Sequence, residues 1–223
     1  MAPQARIARL SLTMDILSIE TSTARGSAAL WRDGRLVEVC EFTSERAHNA
    51  VIFAPLARLL DQVRELELMV AGTGPGSYTG VRVGIAAAAG IALAKNVPLI
   101  GLPSICALTH AVGLDRYAVC GDARRGSWWW AEVESGRLSG PPVSAPAEEC
   151  AARAAAWTGH IFTADAVSPP WCTATVSFPR AEILATAASA LSPEAVERLA
   201  ALPVEPLYLS APFITVSKQP VFA

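Results

Sequence analysis

Hydrophobic and polar positions alternate over residues 15–20, and the β-branched Ile16 and Ile19 suit a strand. A turn of small polar residues follows, with Thr21, Ser22, Thr23 and Gly26. Residues 27–32 read as a second strand. Asp33-Gly34 is a hairpin signal that sends the chain back as a third strand over 35–42. From Ala47 the period changes. Val51, Pro55, Leu56, Leu59, Leu60 and Val63 recur at helical spacing, predicting an amphipathic helix of about four to five turns, kinked or started late by Pro55. Residues 68–72 form a short apolar strand and Gly74-Pro75-Gly76 a turn. A small-residue helix then runs from Thr79 to Lys95, ended by Asn96, and residues 97–101 give one more strand.

The order β-β-β-α-β-α-β, with an antiparallel meander feeding crossovers, is the layout of one lobe of an actin-like α/β protein. The second half is less regular. Residues 104–112 read as a helix, and 116–122 and 127–134 as strands around an Arg124-Arg125-Gly126 turn. Residues 139–146 look like a proline-rich loop, followed by an alanine-rich helix to Trp157. A strand over 160–166 and a helix over 181–191 come next. Ser192 and Pro193 then fit the N-cap and first position of a short helix, and the tail 203–223 reads as extended. The expected organisation is an extension over 1–13, an N-terminal lobe over 14–102, and a reduced second lobe with its tail over 103–223.

Composition narrows the partners. The net charge of −2 leaves no global basic surface, so contact with RNA is expected to run through a partner. No apolar run reaches the roughly 18 residues needed to span a bilayer. Residues 1–13 lack the apolar stretch of a signal peptide, and a cytoplasmic location is expected. Cys40, Cys106, Cys120, Cys150 and Cys172 are scattered without metal or redox spacing, and read as reduced thiols. The three histidines are equally dispersed.

Glycines between a strand end and a helix start bring backbone N–H groups close to a phosphate. Two such turns are present, Glu20-Thr21-Ser22 and Gly74 to Thr79, the latter offering Gly74, Gly76, Ser77 and Thr79. Glu20 stands where actin-like nucleotide sites carry an acidic residue for a metal-bound water. The alternative is purely structural: a tight turn whose glycines permit close packing. The segment has neither P-loop nor Rossmann spacing.

The strings Ile16-Leu17-Ser18-Ile19-Glu20-Thr21-Ser22-Thr23 and Gly72-Thr73-Gly74-Pro75-Gly76-Ser77-Tyr78-Thr79-Gly80-Val81-Arg82-Val83-Gly84 resemble the TsaB (YeaZ) family. Pro98-Leu99-Ile100-Gly101, Asp122-Ala123-Arg124-Arg125-Gly126 and Pro206-Leu207-Tyr208-Leu209 add to the likeness, which is close over about 15–130. The resemblance implies an actin-like ATPase (ASKHA, ribonuclease H-like) fold with two lobes, the second reduced. It implies a non-catalytic scaffold for a TsaD-type catalytic subunit, which, with a TsaE-type ATPase, makes N6-threonylcarbamoyladenosine at tRNA position 37. The metal-binding histidines of TsaD fall, by this alignment, on Ser104 and Leu108, neither of which supplies an imidazole. His110 is offset by two residues. Implied further are no cofactor or metal of its own, ATP or ADP at the complex interface, tRNA contact only through the complex, and a homodimer when the partner is absent.

The family's partner interface falls on the two helices after Ala47 and Thr79. His48, Val51, Phe53, Ala54, Val83, Ala86, Ala87 and Gly90 are the candidates, and supply more apolar and small positions than one core-facing stripe needs. The competing reading turns them all toward the chain's own sheet; Ala87→Arg would separate the two. Rival functions are a free-standing actin-like ATPase or kinase using Glu20, Thr21 and the Gly74 loop, and an M22-type glycopeptidase, which the missing histidines disfavour. In the run Trp128-Trp129-Trp130, alternation points the middle ring away from its neighbours, for packing rather than RNA stacking.

Overall fold

The computed structural model describes residues 15–43, 51–124, 126–166 and 168–209. The chain runs β1 (Asp15–Glu20), β2 (Arg25–Arg32), β3 (Arg35–Thr43), α1 (Phe53–Leu60), β4 (Leu66–Gly72), α2 (Tyr78–Lys95) and β5 (Leu99–Leu102). It continues as β6 (Arg116–Arg124), β7 (Ser127–Glu134), β8 (Arg137–Leu138), β9 (Val143–Pro146), α3 (Ala147–Ala156), β10 (His160–Thr163), β11 (Thr175–Val176), α4 (Ala181–Ser189) and α5 (Pro193–Ala200). The expected extension over 1–13 lies outside the described residues.

The first sheet has the order β3-β2-β1-β4-β5. β1 pairs antiparallel with β2 and parallel with β4, and every residue of β1 is buried. Asp33 (φ 51°) and Gly34 (φ 77°) are both left-handed, as the tight turn between β2 and β3 requires. Alternation assigns the faces of β1. Leu17 and Ile19 join a core with Leu56 and Leu59 of α1 and Ala88 and Ala92 of α2. Ile16 faces the other way, toward Leu184, Ala185 and Ala188 of α4.

α4 is placed there by hydrogen bonds as well as by apolar contact. The buried Ser18 hydroxyl donates to the Ala181 carbonyl at 2.7 Å, and the Ala181 N–H donates to Ser27 Oγ at 2.9 Å. The late helix therefore closes the second face of the first sheet.

β6 and β7 are antiparallel at the heart of the second sheet, and β10 and β11 add parallel strands on the β6 side. One face packs Tyr117, Val119, Trp129 and Phe162 onto Ile105 and Leu108. The other gathers Ala118, Cys120 and Trp130 against Trp157 and Trp171.

Two expected segments take another form in the structure. Residues 104–112 form two single 3-10 turns, Ser104–Cys106 and Thr109–Ala111. Between them the chain is held extended by tertiary bonds, from Arg180 N–H to the Ala107 carbonyl and from Thr109 N–H to the Phe178 carbonyl. The end of the 139–146 loop is a strand, β9, paired with β7 so that Pro146 lies opposite Ser127. α1 begins after Ile52, with Pro55 in its first turn, where a missing N–H costs little; this is the late start that Pro55 suggested, and residues 47–50 lie outside the described ones.

Candidate functional site

The polar turn after β1 and the glycine turn after β4 meet at the carboxyl ends of adjacent parallel strands. Four of their amides, those of Ser22, Gly74, Ser77 and Gly80, are already bonded within the fold. Ser77 N–H donates to the Ser22 carbonyl at 2.7 Å, Gly74 N–H to Ser104 Oγ at 2.9 Å, and Ser22 N–H to Glu20 Oε1 at 2.6 Å. Gly80 N–H is capped by Ser77 Oγ, while the Thr21 hydroxyl donates to the Gly80 carbonyl at 2.8 Å. The glycines allow this approach. A Cβ on Gly76 would stand 2.2 Å from the Ser22 carbonyl oxygen, and one on Gly80 would stand 2.2 Å from that of Thr21. Gly80→Ala should therefore cost about 1–3 kcal/mol by overpacking against backbone that cannot rotate away. Thermal unfolding followed by circular dichroism checks this; an unchanged midpoint would show the two turns to be loosely coupled.

Glu20 is fully buried beneath these turns. Burial pushes its carboxyl above the ordinary range, and the Ser22 and Ser104 hydroxyls with the Ser22 and Thr21 amides offset part of that. Oε2 has no geometric hydrogen-bond partner among the described residues. A carboxyl sealed from solvent does not fit the task of holding a hydrated metal ion beside a phosphate. Ser104 is also buried and bonded to the glycine turn, and Leu108 belongs to the core of the second sheet. Among the described residues no cluster of three or more His, Cys, Asp or Glu is placed to hold a metal. His110 is exposed on a 3-10 turn, and His160 is exposed and stacked on Phe162.

In front of the turns lies a cleft of about 610 Å³ between the two sheets. Ser22, Thr23, Gly76, Ser77 and Thr79 line one wall, and Asp122, Arg124, Trp129 and Asp165 the other. Asp165 accepts from Asp122 N–H at 2.7 Å; burial and the neighbouring Asp122 charge raise its carboxyl, partly offset by that amide and Arg124. Arg124 is the one cation among the described lining residues, and it pairs with Asp122 at 3.3 Å. The bonded Ser22 and Ser77 amides thus belong to one wall and the carboxylates of Asp122 and Asp165 to the other. Sequence reasoning did not find Asp165, because no local pattern brings it to the cleft.

The candidate interface residues divide by environment. Phe53 is 60% exposed, and Ala54, Ala86 and Gly90 are exposed as well. Val83 and Ala87 are half-buried against the core shared by α1 and α2, so Ala87→Arg would disturb the chain's own packing. Val51 is half-buried, and His48 lies outside the described residues. The bare stripe of α2 is Ala86, Ala89, Gly90 and Leu93, the last 80% exposed. The first turn of that helix meets the segment around Tyr208 instead. Arg82 lies 4.2 Å over the Tyr78 ring and donates to the Tyr208 hydroxyl at 3.0 Å, and Leu207 N–H bonds the Thr73 carbonyl.

The tryptophan run is packed. Trp129 and Trp130 are buried on opposite faces of β7, and Trp128 meets Trp171 edge-on at 5.5 Å. The Sγ atoms of Cys120 and Cys172 lie 4.0 Å apart, although the residues are far apart in sequence. Burial raises both thiols and keeps them neutral.

Two α/β lobes meeting at a polar cleft, with paired turns at the strand ends, define a protein of the actin-like ATPase class. The family model for TsaD, tRNA N6-adenosine threonylcarbamoyltransferase, matches residues 42–200, and the chain belongs to this family, on its TsaB (YeaZ) branch. It is 34% identical over 132 residues to the tRNA threonylcarbamoyladenosine biosynthesis protein TsaB of Escherichia coli, covering 54% of this chain and 55% of that one. It is 32% identical over 219 residues to an uncharacterized Mycobacterium leprae protein, covering 92% of this chain and 58% of that one. The chain thus spans about half the length of the curated relatives it matches. A Pseudomonas aeruginosa structure described as similar to peptidase YEAZ superposes with a TM-score of 0.68 at 26% identity, covering 88% of this chain and 100% of that one.

Proposed function

We propose that the chain is a non-catalytic subunit of the machinery that makes N6-threonylcarbamoyladenosine at position 37 of tRNA, binding and activating a TsaD-type catalytic subunit in the cytoplasm. The carrying observation is the bare apolar stripe on α2, with Leu93 80% exposed, beside Phe53 of α1 at 60%. Both helices lie on one face of the first sheet, so their exposed residues form one docking region. The names of the E. coli and Bacillus subtilis relatives, which place those proteins in threonylcarbamoyladenosine biosynthesis, support the assignment. The bonded turns and sealed Glu20 speak against a free-standing ATPase, and the residues at 104 and 108 against a metallopeptidase. Nucleotide, a TsaE-type ATPase and tRNA are met through the complex; alone, the same stripe pairs two copies of the chain.

The test is reconstitution. The purified chain is assayed alone for ATP turnover and peptide cleavage, then with the TsaD-type and TsaE-type proteins for tRNA modification. The expected result is inactivity alone and modification only when the chain is added. Turnover by the isolated chain, or full modification without it, would refute the proposal.

A further inference from the structure

A second cavity, of about 720 Å³, shares no lining residue with the cleft. It opens where the end of β5, the turn between β7 and β8, and helices α4 and α5 come together. Its walls are aliphatic, with Leu102, Leu138, Leu184, Leu191 and Leu199. Cys106 adds a thiol that burial pushes up to about 12, so it stays neutral and behaves as another apolar group.

The polar groups are of one sign. Arg137 and Arg198 both line the cavity and are exposed, and among the described residues no Asp or Glu lines it. Neither guanidinium is within ion-pair distance of a carboxylate among the described residues. Glu194, one turn before Arg198, feels its charge without a close pair. In the cleft, by contrast, the described arginine, Arg124, is paired with an aspartate.

An aliphatic hollow with two unpaired guanidiniums has a defined complement. We infer that this cavity binds a small aliphatic carboxylate of the medium-chain fatty-acid type. Its chain lies against the leucines and its carboxylate meets Arg137 and Arg198. Apolar burial supplies most of the affinity, and the charge-assisted bonds select the anion over an alcohol or an amine of equal length. Because the lining comes from both sheets' elements, the ligand joins the two halves of the molecule and should raise its thermal midpoint.

The experiment titrates the full chain with decanoate, decanol and decyltrimethylammonium below their micelle concentrations, by calorimetry and by thermal shift. Decanoate is expected to bind with a Kd on the order of 10–100 µM, about tenfold or more tighter than decanol, with no measurable binding of the cation. The double variant R137E/R198E should lose that anion preference while retaining decanol. Ala187 lines the cavity from an exposed helix position, so Ala187→Trp should fill it and remove binding of both ligands with the circular dichroism spectrum unchanged. Equal binding of the three compounds, or affinity unaffected by either variant, would mean opportunistic apolar association and overturn the inference. So would the absence of decanoate binding up to about 1 mM, a level at which the apolar contacts alone should register.

Discussion

Gly90→Arg is expected to leave the isolated chain at least as stable as it is, while weakening its association with the TsaD-type subunit by about 100-fold or more. The two effects have different causes. Gly90 sits inside α2, and a Cβ built there meets nothing within 4 Å. Replacing a helix-interior glycine by a good helix former relieves up to about 1 kcal/mol of backbone entropy cost. At a docking surface the same arginine puts an unpaired charge into the stripe Ala86, Ala89 and Leu93, where no carboxylate awaits it. Thermal unfolding of the monomer and binding to the catalytic subunit by calorimetry read the two terms separately. A variant that binds normally would remove the stripe from the interface and redirect attention to Phe53 and the end of α1. A loss of both stability and binding would show that Gly90 is needed by the fold, and Ala86→Arg would then decide.

The second large effect concerns Glu20. The isosteric change Glu20→Gln should stabilise the chain at pH 8 and make little difference at pH 4. Burial raises the folded-state pKa of this carboxyl above its ordinary 4.5. Its contribution is therefore fully present below 4.5 and is lost as pH rises through the folded value, because ionisation in a sealed site is costly. Glutamine never ionises, so the gap between variant and parent widens with pH. Melting curves between pH 4 and 8 test this. A gap independent of pH would mean that the carboxyl titrates alike in the folded and unfolded chain, and one that shrinks as pH rises would mean that Glu20 is charged and paired in the folded protein. Glu20→Ala should destabilise at every pH, since it leaves the Ser22 N–H without its 2.6 Å acceptor and opens a hole beneath the turns.

Much of the first sheet was legible because its signals are local. Asp33-Gly34 fixes a hairpin, Asn96 (φ 52°) ends α2, and Ser192 with Pro193 opens α5, its hydroxyl accepting from Ala195 N–H at 3.3 Å. The failures share a cause. Residues 104–112 have helical composition, yet Pro103 and bonds to residues 178–180 hold them as two short turns. β9 is strand because β7 offers it an edge, a fact absent from its own proline-rich sequence. At the candidate site, the glycine pattern located both turns but left open whether the amides were free. That answer depends on Ser104 and on the Ser22 carbonyl, and no spacing rule reaches across the fold to them. Asp165 and the Cys120–Cys172 approach were hidden for the same reason.

The return of α4 to the first sheet bears on how the chain comes to be folded. Ile16, Leu68, Val70 and Ile100 are all made before residue 103, yet their cover arrives only with Leu184, Ala185 and Ala188. A nascent chain that has built the first sheet must hold an open oily face until the whole second sheet has been synthesised. In chain order, the second sheet lies between the strands of the first and the helix that covers them. Release of the chain after residue 102, by a protease or a stalled ribosome, would yield a half-covered sheet prone to aggregate. The segment able to rescue it in trans is 180–200, whose first helix carries the backbone groups that Ser18 and Ser27 are placed to meet.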